Sequence, residues 1–361
     1  MINKQFIYEL YDKTGTVFKK RLDNDIVDNY IPSFSSQINI GLSELSVGVK
    51  QRYDDYDPNL VNGNVLKIYK QGVSNSLYEG FINNVKPTRD GKKETVGIDI
   101  TPYNALLSEV AYRQGSSYIF TKTDRIDNIF RDIIDQFQIN TGLSYIYYGE
   151  SSIVDLGATI PLEIDKEYTI DSLERTFSMI GSTGYYMRFD PDGKFNVLQK
   201  PTTADHVFTV GANTEKIMGN IDARNVVSRG FIEYGPSLLD TLIYEGNSAY
   251  FVREIMISDK NITGITEASL RLATEVENQM DERIGAELII NSGYFYDNKR
   301  IEDAIEGTTC KLKEVNAGFL GNNMMITQRR YNGVNVNLVL ESDIFSVQKQ
   351  IKKYFDKRDK K

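Results

Sequence analysis

The chain is nearly empty of the residues that most reaction chemistry needs. It holds one histidine (His206), one cysteine (Cys310) and no tryptophan in 361 residues. A single cysteine cannot close an internal disulfide, so oxidative stapling is excluded. A lone imidazole without further soft ligands does not make a zinc-type centre. No Gly-x-Ser-x-Gly elbow and no Gly-rich phosphate loop ending in Gly-Lys-Ser/Thr is present, which removes the common nucleophile and nucleotide motifs. The absence of Trp argues against the sugar-stacking platform of a glycoside hydrolase, whose paired carboxylates carry no recognisable spacing in any case. With only 8 Pro and no Pro- or Ser-rich linker, long disordered stretches are not expected away from the ends. No run approaches the ~20 apolar residues of a membrane span. The opening Met1–Phe6 lacks a signal-type apolar core, which predicts synthesis and folding in a cytoplasm.

What is present favours strands. Tyr (23) and Phe (17) are plentiful, and they recur with Ile, Val and Thr, the residues that fit a pleated surface. Net charge is −8, but Lys349, Lys352, Lys353, Lys357, Arg358, Lys360 and Lys361 stand against only Asp356 and Asp359. That terminal stretch is a local +5, leaving −13 for the remainder. An acidic body does not attract a phosphate backbone, so ordinary nucleic-acid binding is disfavoured.

Phe6–Tyr11 and Val17-Phe18 flank a turn at Lys13-Thr14-Gly15, a hairpin signature. Ser33–Val49 alternates, placing Phe34, Ile38, Ile40, Leu42, Leu45, Val47 and Val49 on a buried face. Val65–Lys70 with Leu77–Val85 forms a second hairpin, and a third turns at Asp90-Gly91 into Thr95–Thr101. After a connecting segment, Leu106–Arg113, the period changes. Thr121–Asp124 has the spacing of a capping box before Ile126, Ile129, Phe130, Ile133, Ile134 and Phe137, a stripe of helical period ending near Gly142. A strand is predicted at Tyr145–Tyr148 and a second helix from Asp171, with Leu173, Phe177 and Ile180 inward. Tyr185–Phe189 and Lys194–Leu198 then pair around Asp190-Pro191-Asp192-Gly193. Strands are predicted at Val226–Tyr234 and Ala249–Ser258, and a helix from Thr266 to Ile284 with Leu272, Ala273, Val276 and Met280 on one face. Thr308–Val315 and a hairpin turning at Asn332-Gly333 follow, and Ser342–Lys357 reads as a closing amphipathic helix.

These signals define an α+β, β-dominated chain: residues 1–112 a β-barrel-like domain, 113–212 an α+β insert, and 213–361 a second β-barrel-like domain with one long helix and a C-terminal helix. His206 reads as an ordinary residue at a strand start, and Cys310 as a buried strand residue. Asp190–Gly193 reads as a turn, since a calcium loop would need an acid where Pro201 stands. Asp54-Asp55-Tyr56-Asp57 is a denser acid cluster that reads as a solvated loop. Tyr145–Tyr148 and Tyr294–Tyr296 suit strand packing or a protein interface. No catalytic residue, metal ligand or cofactor is expected, and the chain reads as a non-enzyme. Phe345, Ile351, Tyr354 and Phe355 are the candidate partner-binding residues, because an isolated Lys-rich helix this short is marginal in water.

The order of elements resembles the central hub proteins of phage tails and contractile injection systems. Three passages carry the likeness: the hairpin Leu66–Tyr69 to Tyr78–Ile82; the run Ile126–Phe137 followed by Tyr168–Leu198; and Thr266-Glu267-Ala268 with Ala273 and Val276, preceding Ile305–Thr308. At Glu306-Gly307-Thr308 the family's usual Pro-Gly-Asp is missing, and Ser342–Lys361 has no counterpart. The resemblance implies two tail-tube-like barrels and a homotrimeric ring that joins a sixfold tail tube to a threefold tip or spike. Its partners would be tail tube, distal-tail, tip, spike or fibre proteins, with DNA or an effector only as passing cargo, in a virion made in a bacterial host. The alternatives are another distal-tail or baseplate adaptor that binds host glycan and, behind it, a tail-associated cell-wall hydrolase.

Overall fold

In a computed structural model, the described residues run from 5 to 341, apart from 24, 28–29, 52–56, 91–92, 158, 179, 181–183, 223–226, 246–252, 261, 263, 278–282, 292–294, 297–298, 314–322 and 334. The first part contains β1 (Phe6–Tyr11), β2 (Phe18–Arg21), β3 (Phe34–Gln37), β4 (Gly41–Leu42), β5 (Leu45–Val49), β6 (Val65–Lys70), β7 (Tyr78–Asp90) and β8 (Lys93–Pro102). Six of these make one antiparallel sheet in the order β2-β1-β6-β7-β8-β5. The alternation expected of hairpins is met: Phe6, Tyr8 and Leu10 face inward from β1, and Val96, Ile98 and Ile100 from β8, as a period of two requires.

A six-residue 3-10 segment, Tyr103–Ser108, leads to the middle unit of β9 (Ile119–Arg125), α1 (Ile126–Thr141), β10 (Thr159–Asp165), α2 (Thr169–Ser178), β11 (Tyr185–Phe189) and β12 (Phe195–Gln199). All six apolar residues of the predicted α1 stripe are buried, and Gly142 caps the helix at φ 66° with its N–H on the Gln138 carbonyl at 2.8 Å. The carbonyls of a helix end need such a partner, and glycine adopts the left-handed conformation without a Cβ penalty. Around α1 and α2 lies one apolar core that takes in Leu162, Ile164, Met187, Phe189, Phe195 and Val197.

The last part contains β13 (His206–Thr209), β14 (Lys216–Asp222), β15 (Arg229–Tyr234), β16 (Asp240–Glu245), β17 (Glu254–Asp259), α3 (Ile265–Glu277), β18 (Arg283–Asn291), the two-residue pair β19 (Phe295–Tyr296) and β20 (Lys299–Arg300), β21 (Thr309–Lys313), β22 (Met324–Tyr331) and β23 (Asn335–Glu341). The large sheet runs β13-β21-β22-β23-β18-β14 and is extended by β3 on β22 and β4 on β3. A separate three-stranded sheet, β16-β15-β17, packs its inner face on α3.

Strand β3 therefore leaves the first sheet and joins the last, with Phe34 opposite Tyr331 and Ser36 opposite Arg329. Phe34 and Tyr331 stack with centroids 5.4 Å apart, and side chains from residues 6–100 and 208–340 share one core. The β-dominated α+β character is as expected. Closed barrels do not occur among the described residues. The six-stranded sheet ends at β2 and β5, and Asp25, Ile26, Val27 and Tyr30 lie along β5, with Val27 N–H on the Gly48 carbonyl (2.9 Å), Lys50 N–H on the Asp25 carbonyl (2.5 Å) and the Tyr30 hydroxyl on the Ser46 carbonyl (2.5 Å).

Four local expectations are corrected. Thr121–Asp124 is not a capping box but part of β9, paired to β10 from Thr121↔Glu163 to Asp124↔Ile160. A long-range strand partner overrides the local cap signal, and α1 starts after Arg125 without a side-chain cap. Tyr145–Tyr148 contributes a single bridge, Tyr147 to Lys194, instead of a strand, and Tyr145 stacks on Tyr103 at 4.8 Å. The helix from Thr266 is shorter than expected, since Ile284 already lies in β18, where Ala286, Leu288 and Ile290 alternate inward between β14 and β23. The strand expected over Ala249–Ser258 begins at Glu254 and runs parallel to β15. The predicted helix Ser342–Lys357, with Phe345, Ile351, Tyr354 and Phe355, lies outside the described residues.

Candidate functional site

Those residues singled out for chemistry that lie among the described residues hold structural positions. His206 opens β13, is 5% exposed and stacks on Phe208 with centroids 5.9 Å apart. Parallel pairing sets it opposite Cys310 in β21, which brings together the only imidazole and the only thiol of the chain. Burial, then the Lys299 ammonium, pushes the imidazole pKa down, and burial pushes the thiol pKa up. Both shifts oppose a thiolate–imidazolium pair, the state a cysteine nucleophile needs.

Asp190 and Asp192 serve their turn. Asp190 accepts from Asn196 Nδ2 (3.0 Å) and pairs with Arg188, while Asp192 accepts from the Tyr147 hydroxyl (2.6 Å) and Lys194 N–H (3.2 Å). Of the acidic cluster at 54–57, Asp57 pairs with Lys20 at 3.0 Å and the others lie outside the described residues. Tyr148 donates to Asp135 (3.0 Å) beneath the Arg131 guanidinium, so the Tyr145–Tyr148 run is spent on packing. The side chains of Tyr294–Tyr296 lie outside the described residues.

The arrangement that sequence reading missed is a polar joint where the three parts of the chain meet. Arg329, on β22, is 3% exposed. Its Nη1 donates to the Glu302 carbonyl (3.3 Å), its Nε lies 3.5 Å from the Glu306 carboxylate, and its guanidinium sits over the Phe34 ring. Ser36 of β3 donates to the same Glu306 carboxylate, and Lys70 of β6 pairs with Glu302. A buried guanidinium is tolerated only with such opposing charge and carbonyl partners.

The insert reaches the same place. Asn39, held at φ 64°, accepts from Met187 N–H (2.6 Å) and returns its own N–H to the Met187 carbonyl (2.8 Å). Tyr186 donates to the Gly307 carbonyl (3.1 Å), and Ile38, Tyr186 and Met325 form a small apolar cluster of their own. Gly307 has φ +86°, and a Cβ there would stand 2.2 Å from the Tyr186 ring. Glycine fits both the left-handed backbone and the close approach. The only sequence clue to the joint is the Ile305–Thr308 run, whose Gly307 matches the resemblance and whose Glu306 does not. This arrangement ties the three parts of the chain together, and its guanidinium, serine hydroxyl and two glutamates are all engaged with one another or with Lys70.

Apart from the joint, the surface with most consequence is the outer face of the β16-β15-β17 sheet. Ile243, Phe231 and Met256 stand in one register row, with Ile243 57% and Met256 77% exposed.

Neither a protein-family model nor a curated protein sequence matches the chain. Solved structures do match, and the chain shares the fold of several tail proteins, two of them from prophages, in line with the sequence resemblance. The 43 kDa tail protein of prophage MuSo2 from Shewanella oneidensis is 14% identical, with TM-score 0.67 over 93% of this chain and 97% of that one. The tail protein of Neisseria meningitidis MC58 is 11% identical, with TM-score 0.64 over 93% and 96%. Prophage tail protein gp18 of Listeria monocytogenes EGD-e is 10% identical, with TM-score 0.60 over 97% and 99%. At such identities the likeness is one of fold.

Proposed function

We propose that the chain is a structural tail protein, the hub subunit of a phage tail tip or injection-system baseplate, assembling as a homotrimeric ring between the tail tube and the distal tip or spike. The observation that carries this reading is the extent of the match: nearly the whole chain, and nearly the whole of each neighbour, superpose on proteins described as tail proteins. The construction supports it. A ring subunit must hold its parts rigidly, and here a buried polar joint ties β3, β11, β22 and the 302–307 turn together. Edge strands such as β2 and β14 would be a liability in a lone monomer and become interface in a ring.

In this reading the two large sheets are the tail-tube-like halves of each subunit, so three copies present six related surfaces to the tube. The acidic body would line a lumen through which DNA or an effector passes without sticking. The role is one of geometry and not catalysis, and its site of action is the virion tail.

Native mass measurement of the purified protein tests the proposal. Three copies per particle are expected. A strictly monomeric protein that clears purified cell wall would replace the hub with a tail-associated hydrolase, and a six-copy ring would replace it with a distal-tail adaptor.

A further inference from the structure

The small β16-β15-β17 sheet has two faces of different fate. Its inner face, with Ile232 and Tyr234, is covered by Ala268, Leu272 and Val276 of α3. Its outer face carries three rows fixed by register. Glu245–Arg229–Glu254 is ion-paired at 2.9 and 3.2 Å. Ile243–Phe231–Met256 is apolar, and Thr241–Glu233–Ser258 is polar, with Ser258 donating to Glu233 at 3.2 Å. An apolar row framed by three carboxylates and one guanidinium is suited to an apolar ridge flanked by amines.

The chain supplies such a ridge and delivers it to the right end of the molecule. Strand register places Glu341, the last residue of β23, opposite Gly285 of β18, and Gly285 opposite Asn220 of β14. At that same end β14 leaves for the small sheet and β18 returns from α3. Adjacent strands lie about 4.8 Å apart, so Glu341 is about 10 Å from the strand that leads into the small sheet. Residues 342–361 follow, with Ile344, Val347, Ile351, Tyr354 and Phe355 at helical spacing and a net +5 from Lys349 onward. Even at a helix's rise of about 1.5 Å per residue, a twenty-residue segment reaches about 30 Å, three times the separation from that strand.

We propose that the outer face of the β16-β15-β17 sheet is the seat of the chain's own C-terminal segment, 342–361. Its apolar stripe covers the Ile243–Phe231–Met256 row, and its lysines lie against Glu233, Glu245 and Glu254. The segment then acts as an intramolecular strap tying the end of the large sheet to the small one. This assignment does not depend on the hub reading.

A photoreactive benzophenone side chain placed at Met256 in the full chain tests it, using equal parts of light and heavy-nitrogen protein. Cross-links are expected to peptides within 342–361, with both halves carrying the same isotope. Mixed-isotope pairs would give the seat to another copy's tail, and cross-links only to other segments, or none, would remove the tail from this face; each result overturns the proposal. As a second readout, peroxide oxidation of Met256 should accelerate severalfold in an Ile351→Asp, Phe355→Asp double variant, which keeps the length of the tail and its lysines. An unchanged rate, with amide exchange elsewhere as in the parent, would also overturn it.

Discussion

The insert and the α3 unit are both small sheets backed by helix, yet they differ in how much of themselves they enclose. In the insert, α1 and α2 gather β9–β12 into one core, and all six apolar residues of the α1 stripe are buried. In the other, α3 covers one face of three strands and leaves Ile243 and Met256 outward. The insert's core is closed, with Val65, Tyr11 and Phe81 of the first part completing it. The α3 unit buries less apolar surface and keeps an apolar row on its open face, which is how a surface built for contact differs from one built only to be stable.

Substitutions can separate the two. Phe130→Ala empties a site that is 0% exposed and 5.8 Å from Phe195. It should cost about 3–5 kcal/mol in denaturant unfolding, with exchange rising across the whole insert. Arg329→Met would strand the Glu306 carboxylate in the joint, for a loss of about 3 kcal/mol. Adding Glu306→Gln should recover most of that loss, because the uncompensated charge then disappears. Leu272→Ala, under the small sheet, should cost about 2–3 kcal/mol. Its increase in amide exchange should be confined to β15–β17 and α3; global unfolding would instead make the two units equally cooperative.

The remaining effects are smaller. The lowered pKa of His206 from its ordinary 6.5 means the unfolded chain binds the proton more readily. That contribution to stability is complete above about pH 6.5 and is lost as pH falls through the depressed folded value. His206→Gln should flatten the acid limb of a melting-temperature profile and leave neutral pH little changed. Ile243→Lys, on the open face, should alter stability by no more than about 0.5 kcal/mol, while the same change on the buried side, at Leu272, should unfold the unit.

Legibility in the sequence follows the range of the interactions. The α1 stripe and the hairpins at Asp190–Gly193 and Asn332-Gly333 were readable, because periodicity and turn chemistry act over a few residues. The strands β9 and β10 were not, since Thr121–Asp124 imitates a cap and only its partner near Glu163 makes it a strand. Nor was β18, which begins at Arg283 with no proline or glycine between Glu277 and Arg283 to mark the change. The joint was invisible for a stronger reason. Ser36, Glu306 and Arg329 are ordinary polar residues in three distant segments, and only the pairing of β3 with β22 brings them together. His206 and Cys310 show the converse, since their rarity drew attention and burial explains them.

Electron cryomicroscopy of the assembled tail tests the central claim most directly. The account predicts three copies of this fold in one ring at the distal end of the tail tube, with the β14 or β2 edges meeting a neighbouring copy. Density for the chain as an isolated appendage, away from the tube axis and without a ring of its own copies, would contradict it.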